Sequence, residues 1–282
     1  MDPPLVGSLR AAAENVALQL RDTAPLGVAL SGGVDSSVLL ALAAHSLGPQ
    51  NVLALLGVSP SLSAAERSDA HAVAAHLGVR IVEVATREID RVEYRANGPD
   101  RCFHCRDELF TRITHDVVTA HGLKTIAYGE NADDVVRLDR PGARAATLHG
   151  VLRPLAVAGL DKSAVRRIAR SFGLPNADKP AAPCLASRIP HFDEVSAQKL
   201  AQIETAEREL GRIGLDECRV RHHGDVARLE LPPHDLARAV SPPLRDQIRA
   251  VAIEAGFRFV ALDLGGIQSG AFTLPLVSVD RD

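Results

Sequence analysis

The sequence predicts an α/β protein built on a parallel sheet, followed by a small α+β domain. Two observations carry this. Between residues 26 and 128, short apolar runs ending in glycine or polar residues alternate with longer segments of helical period. From about Glu194 the pattern changes to two alternating runs around a glycine turn, then a helix and one more strand. Strands that alternate with helices imply a parallel sheet with right-handed crossovers. The division is expected near residue 192, giving domains of 1–192 and 193–282.

Taken in order, the apolar run from Leu26 reads as a buried strand, Ser31-Gly32-Gly33 as a tight turn, and Asp35-Ser36-Ser37 as the opening of a helix over 38–47. Residues 51–58 form a second buried strand, 63–77 an amphipathic helix ended by Gly78, and 79–85 a third strand. Residues 111–121 continue a helix and 124–128 form a fourth strand. The helix over 161–172 is stopped by Gly173 and Pro175, and 178–190, rich in Pro and Ala, reads as an irregular loop. In the second domain a long polar helix (195–211) leads to strand-like residues 217–231 with a turn at His223-Gly224-Asp225. A helix (243–255) and a strand (257–264) complete a β-β-α-β unit suited to substrate binding or oligomerisation.

Composition narrows the function. With 46% hydrophobic residues and 24% charged, the 282-residue chain has ample core, and a net charge of −3 gives no global attraction to nucleic acid or anionic membrane. No apolar run approaches the ~20 residues that span a bilayer. The N-terminus has Asp2 and Glu14 and no basic start before an apolar core, so no signal peptide is expected and the protein is expected in the cytoplasm.

The segment Leu26-Gly27-Val28-Ala29-Leu30-Ser31-Gly32-Gly33-Val34-Asp35-Ser36-Ser37 is the most informative. Gly32 and Gly33 let backbone N–H groups approach an anion because no Cβ intervenes. Ser36 and Ser37 add hydroxyl donors at a helix N-terminus, which already favours phosphate. No Gly-Lys-Ser/Thr follows, so this is not a Walker-type loop. Ser31 to Ser37 instead resembles the pyrophosphate loop of the PP-loop ATP pyrophosphatases, implying cleavage of ATP between its α and β phosphates. The plainer alternative is an ordinary strand-to-helix turn. A second loop, Gly129-Glu130-Asn131-Ala132-Asp133-Asp134, also falls at the carboxyl end of a strand, where ligands bind in such sheets.

Four cysteines, Cys102, Cys105, Cys184 and Cys218, point to metal or catalysis before disulfides in such a chain. Cys102-Phe103-His104-Cys105 fits a zinc knuckle, a redox dithiol or an iron–sulfur ligand set. No second C-x-x-C supplies a knuckle, although Cys184 with His104 or His191 could complete one. A thioredoxin-type motif would follow the first strand, not the third. What is left is three thiolates on one 4Fe–4S cluster with an open iron, or unligated thiols that behave as small hydrophobes. Cys218, in a predicted strand, reads as packing.

Several longer motifs occur in order: Asn97-Gly98-Pro99-Asp100-Arg101-Cys102-Phe103-His104-Cys105-Arg106, the loop at 129–134, Arg140-Pro141-Gly142, residues 178–190 from Asp178-Lys179-Pro180 to Arg188-Ile189-Pro190, residues 219–230, and Leu262 to Gly270. As a set, between Leu26 and Gly270, they resemble the LarE family. The resemblance implies an ATP-dependent sulfur transferase that adenylylates and thiolates the carboxylates of pyridinium-3,5-biscarboxylic acid mononucleotide, in the biosynthesis of the nickel-pincer nucleotide of lactate racemase. In one branch a single cysteine gives up its sulfur and becomes dehydroalanine; in the other, three cysteines hold a 4Fe–4S cluster. Cys102, Cys105 and Cys184 match the second, with sacrifice of Cys184 the alternative. The resemblance also implies a homo-oligomer assembled through the C-terminal domain and a sulfur donor that renews the sulfur.

On that resemblance, Ser31, Gly32, Gly33, Asp35, Ser36, Ser37 and Asp133 bind ATP, with Asp35 and Asp133 as contacts to Mg²⁺. Their alternative role is capping the helices that follow. Cys184 and Asp35 are the catalytic candidates. Arg188, Arg219 and Arg221 are placed on the substrate phosphate, which a guanidinium grips bidentately. Arg219 and Arg221, two apart on a strand, would share one face. Ser187 and Glu230 complete the substrate set. Departures from the family pattern are Glu130 in place of a common Thr, Arg106 in place of Lys, and Gly270-Ala271-Phe272-Thr273 in place of Gly-Ser-Met-Asn. Competing functions are a PP-loop tRNA thiolation enzyme, disfavoured by the charge of −3 and the 3% aromatic content, an amidotransferase-type ligase related to NAD or GMP synthetases, and a non-catalytic nucleotide- or zinc-binding module.

Overall fold

In the computed structural model, which describes residues 5–135, 142–180, 182–268 and 272, the chain divides into two units. Of the motif residues named above, Arg140, Pro141, Ala181, Ser269, Gly270, Ala271 and Thr273 lie outside the described residues. One unit comprises Met1–Glu88 and Cys102–Ala182, the other Ile89–Arg101 and Pro183–Asp282. The sequence suggests one cut at 192; the structure moves it ten residues earlier and gives the second unit an excursion at Ile89–Arg101. The cause is backbone and amide bonding across sequence distance. Val195 N donates to Arg95 O at 2.9 Å, and Asn97 holds the 189–193 segment.

The first unit is a four-stranded sheet of order β3-β2-β1-β4, all parallel, with β1 Leu26–Ala29, β2 Val52–Val58, β3 Arg80–Ala85 and β4 Thr125–Tyr128. Because β4 joins on the opposite side of β1 from β2, the winding direction reverses between β1 and β4. That reversal opens a crevice beyond the carboxyl ends of those two strands.

Both faces of the sheet are covered, which is why its strands read as unbroken apolar runs. Val52, Ala54 and Leu56 face one core with the helices Gly7–Leu20, Val34–Leu47 and Lys162–Ser171. Leu53 and Leu55 face another with Phe110, Ile113 and Val117. Helix Val34–Leu47 packs against the sheet and against helices Gly7–Leu20 and Lys162–Ser171. Its Val38, Leu39 and Leu40 are fully buried, each contributing about 1.5–3 kcal/mol of transfer free energy.

Helix boundaries follow local chemistry. Ser63 caps Ala64–His76 by accepting from Glu66 N at 3.2 Å, and Gly78 beyond it takes φ +64°. Asp161 caps Lys162–Ser171 through Ala164 N at 2.7 Å. Helix Gly7–Leu20 has no counterpart in the sequence reading. The helix that residues 111–121 continue begins at Arg101: Arg101–Arg112 is α-helical, Ile113–Val118 is a π turn, and Thr119–His121 resumes the α form. The charged, polar surface of its first turns hides the helical period there, and the cysteine pair sits on that part.

In the second unit β5 (Arg219–His223) and β6 (Val226–Glu230) form an antiparallel hairpin, and β7 (Phe259–Leu262) pairs parallel to β6. Gly224 turns the hairpin at φ +59°. Val220, Ala227 and Leu229 pack against Ala206 and Leu210 of helix Ala197–Arg212 and against Ile248 and Ala252 of helix Leu244–Glu254. The β-β-α-β order matches the sequence expectation, with a short helix Pro233–Ala239 added. Among the described residues no helix is long and apolar enough to cross a membrane.

Candidate functional site

The glycine loop lies at the end of β1 and is shaped by close backbone approaches. Gly32 takes φ +77°, and a Cβ there would stand 2.6 Å from Glu66 O. At the end of β4, a Cβ on Gly129 would stand 2.6 Å from Ser36 N and 2.7 Å from the Asp35 carbonyl carbon. Gly129 therefore has to be glycine so that the β4 loop can lie on the first turn of helix Val34–Leu47. The two loops that the sequence places at strand ends thus meet in the β1/β4 crevice.

Within the loop the hydroxyls bind backbone. Ser36 Oγ donates to Gly33 O at 3.0 Å and accepts from Ser31 N at 3.2 Å. Ser31 Oγ lies 3.2 Å from Ser36 Oγ and accepts from Gly33 N. Ser37 is fully buried, donating to Gly33 O at 2.9 Å and accepting from Asn176 Nδ2 at 2.9 Å. Asn176 Nδ2 also donates to Gly32 O at 2.8 Å. Ser37 and Asn176 are thus fasteners beneath the loop, whereas Ser31 and Gly33 line its surface. Beside Asn176 a groove of ≈ 380 Å³ runs along Leu174–Lys179, closed by a Lys179–Asp69 pair at 2.6 Å.

Asp35 and Asp133 converge on one residue that the sequence reading passed over. Lys162 Nζ donates to Asp35 Oδ2 at 2.5 Å, and Lys162 N donates to Asp133 Oδ2 at 2.9 Å. Asp133 does not cap its own helix, because Asn131 Oδ1 accepts from Asp134 N instead. The Oδ1 of Asp35 is buried without a hydrogen-bond partner among the described residues. A buried, unpaired carboxylate oxygen beside a phosphate loop fits a hard cation brought in with a nucleotide. The only sequence signal for Lys162 was its place just after the Asp161 cap. Close by, Glu130 is buried and pairs with Arg153 at 3.5 Å, while burial and this carboxylate push the Tyr128 phenol above its ordinary range.

None of the four cysteines is joined in a disulfide. Cys102 and Cys105 are one turn apart on helix Arg101–Arg112, exposed and half-buried respectively, and belong to the first unit. Half-buried Cys184 belongs to the second unit, immediately before the 3₁₀ turn Leu185–Arg188. Among the described residues no three His, Cys, Asp or Glu side chains gather so as to hold a metal ion. The pair presents two soft ligands on one helix face. Cys218 packs against the second core, its thiol pushed up to about 12 by burial and by the Glu207 carboxylate.

The arginines of the substrate set are less open than the sequence suggests. Arg221 is bidentate to Glu230 at 2.9 and 2.8 Å, and both are almost fully buried. Arg188 is bidentate to Glu207 at 2.9 and 3.0 Å. Arg219 Nη1 donates to Gln268 O at 2.6 Å, and Arg221 Nη2 reaches the same carbonyl at 3.0 Å, so the two share one strand face. Burial and the nearby Arg188 and Arg221 charges lower the Arg219 pKa. Ser187 Oγ accepts from Arg188 Nη1 at 3.0 Å. Glu230 is thus the counter-ion of Arg221, and Glu207, which no sequence signal marked, is that of Arg188.

A family profile described as asparagine synthase matches residues 9–136, the span from the first helix through β4 and its loop. The chain is 31% identical over 251 residues to the pyridinium-3,5-bisthiocarboxylic acid mononucleotide synthase of Lactiplantibacillus plantarum, across 89% of this chain and 90% of that protein. It is 40% identical over 243 residues to an uncharacterized protein of Synechocystis sp., across 86% and 90% of the two chains. A shorter similarity, 30% over 169 residues, relates it to the NH(3)-dependent NAD(+) synthetase of Hyperthermus butylicus, across 56% and 58%.

Proposed function

The chain belongs to the LarE family of PP-loop enzymes, which use ATP, and on that premise we propose that it activates carboxylates of pyridinium-3,5-biscarboxylic acid mononucleotide and replaces the activated oxygen with sulfur. The observation that carries the first half is the convergence of the glycine loop, Asp35, Asp133 and Lys162 on the β1/β4 crevice. A substrate carboxylate oxygen attacks the α-phosphorus, the bond to the bridging oxygen breaks, and pyrophosphate leaves with that electron pair. The backbone N–H of Gly32 and the Lys162 ammonium would receive it. Asp35 would hold Mg²⁺ through its buried Oδ1, and the ion would neutralise phosphate charge.

In the second half a sulfur nucleophile attacks the acyl carbon, and AMP departs with the electrons of the broken C–O bond. The Cys184 thiolate is the donor within this chain. Its attack gives a thioester; loss of the Cys184 Cα proton and cleavage of its Cβ–S bond then leave dehydroalanine and a thiocarboxylate. The resemblance also offers a 4Fe–4S cluster, which Cys102, Cys105 and Cys184 would hold and whose open iron would supply the sulfur instead. Arg219, flanked by Arg188 and Arg221, is the leading contact for the substrate phosphate. Assembly into a homo-oligomer through the second unit is part of the same proposal.

The test is to mix the anaerobically purified protein, with iron, zinc and acid-labile sulfide counted, with ATP, Mg²⁺ and the pyridinium mononucleotide. Substrate-dependent pyrophosphate release with an oxygen-to-sulfur mass change in the product is the expected result. Intact-mass loss of sulfur from Cys184 identifies the sacrificial route, whereas iron with sulfide and an unchanged Cys184 identifies the cluster. An amide product formed with ammonia would instead favour a synthetase of the NAD type, the reading that the Hyperthermus similarity supports.

A further inference from the structure

The turn that carries Cys184 is held by side chains that come from 85 to 96 residues earlier in the chain. Asn97 is completely buried and takes φ +55°, a conformation that Asn tolerates better than most residues. Its Nδ2 donates to the carbonyls of Ile189 at 3.3 Å, Pro190 at 2.6 Å and Asp193 at 3.0 Å. Its backbone carbonyl accepts from Phe192 N at 3.1 Å and from His191 Nδ1 at 3.0 Å. Arg101, also buried, donates through Nη1 to Asn97 Oδ1 and, at 3.0 Å, to the carbonyl of Ala186. Arg188 Nη1 reaches Pro183 O and Cys184 O, and Arg221 Nη1 reaches Ser187 O at 2.8 Å. The carbonyls of Pro183, Cys184, Ala186, Ser187, Ile189 and Pro190 thus all end on side chains that no regular secondary structure would supply.

We propose that Asn97 and Arg101 are positioning residues for sulfur transfer, a two-residue clamp that sets the Cys184 turn. The proposal rests on the sulfur-transfer reading. Three features support this pair, the first two of them shared with Arg188 and Arg221. Both side chains are buried and polar, so their bonds are costly to leave unmade and the turn has little freedom once they form. Both act on main-chain carbonyls, so they fix backbone conformation and with it the direction of the cysteine side chain. Arg101 is also followed directly by Cys102, so the residue that anchors Ala186 ends the second unit's excursion where the first cysteine of the pair begins.

The experiment uses the full chain as wild type and as Arg101→Gln, Arg101→Lys and Asn97→Gly, the last keeping the positive φ while deleting the amide. Peptide-resolved mass spectrometry follows alkylation of Cys184 by iodoacetamide, with exposed Cys102 as internal reference. Substrate-dependent pyrophosphate release and thiolated product are measured on the same samples. In Arg101→Gln and Asn97→Gly, alkylation of Cys184 relative to Cys102 is expected to accelerate about tenfold, the scale of a lost hydrogen bond. Pyrophosphate release should stay within about twofold while thiolated product falls about 10²-fold, the cost of misplacing a reacting atom by an ångström. Arg101→Lys, which keeps one donor and the charge, should recover part of both. The proposal is overturned if Cys184 alkylates at the wild-type rate, or if pyrophosphate release and product fall together. Should Arg101→Gln lose its fold, Arg101→Lys decides by the same split. If the wild-type protein releases no pyrophosphate with the pyridinium substrate, the functional reading fails on its own, and the alkylation rates still decide whether the clamp sets the turn.

Discussion

In the first unit the loop at residues 31–37 presents uncharged donors, and its carboxylates Asp35 and Asp133 lean on a single residue, Lys162. In the second unit Arg188, Arg219 and Arg221 are no more than 9% exposed, and Arg188 and Arg221 are each matched to a carboxylate through two hydrogen bonds. The first arrangement is fastened by neutral hydroxyl and amide hydrogen bonds to its own backbone and spends no charge on holding itself. The second commits its charge to the fold, so a phosphate arriving there competes with pairs already made. A buried arginine cluster is therefore a structural device first. Its use as a site depends on what its internal pairs release.

Removing one guanidinium is the most direct way to break this contrast. Arg221→Ala leaves the buried Glu230 carboxylate with only Arg228, at 3.4 Å, in place of a bidentate partner and should cost about 3–5 kcal/mol in urea unfolding of the full chain. A loss within experimental error of zero would show the pair to be free for ligand. Asp35→Asn should leave stability near wild type while lowering substrate-dependent pyrophosphate release about 10²-fold or more, since it removes a charge aimed at developing phosphate charge. Unchanged release would take Asp35 out of the site. Gly129→Ala sharpens the comparison from the other side. Its Cβ would meet Ser36 N at 2.6 Å, so backbone has to move, at a cost of about 1–3 kcal/mol and with weaker ATP use.

The smallest effect is a difference in acid response. Burial lowers the pKa of His191, His222 and His223, all in the second unit. Their unfolded forms take up protons near pH ~6.5 while the folded forms resist, so stability is full above that pH and declines as pH falls below it. In the first unit, hydrogen bonds from Arg67 and His71 hold Glu83 down to about 2; its contribution is present above the ordinary carboxylate range and is lost only as pH falls toward that value. Hydrogen exchange by mass spectrometry at pH 7.5 and 5.5, corrected for intrinsic rates, should show loosening in peptides from 183–268 before those of β1–β4. Equal loosening in both units would remove the distinction.

What could be read in the sequence divides along the same line. Gly32, Gly33 and Gly129 carry their message because glycine is demanded where backbone approaches backbone, and the alternation of apolar runs marked β1 to β4. The arginines at 219 and 221 were visible as a same-face pair, but not Glu207, which lies on a helix whose polar face looks solvated and yet binds Arg188 and Val220 N. Lys162 and Asn176 were missed because their partners lie 127 and 139 residues away, beyond any local period. The excursion of residues 89–101 was hidden for the same reason: its bonds run to 186–195, and nothing in its own composition announces them.

The π turn at Ile113–Val118 places the cysteine pair in a phase of its own relative to β4. Each residue of an α-helix advances about 100° around the axis, and a π turn accommodates one residue more than the α form would. Deleting a single residue from that stretch should let the helix close into regular α form, turning Arg101–Arg112 as one piece. The thiols of Cys102 and Cys105 would then be carried about a quarter of the way around the helix, and buried Phe110, on the same segment, would turn with them. A chain shortened there would keep its thiols and its glycine loop and lose the seat of Phe110 together with the bearing of the pair, so the spacing of this helix carries information as specific as any residue on it.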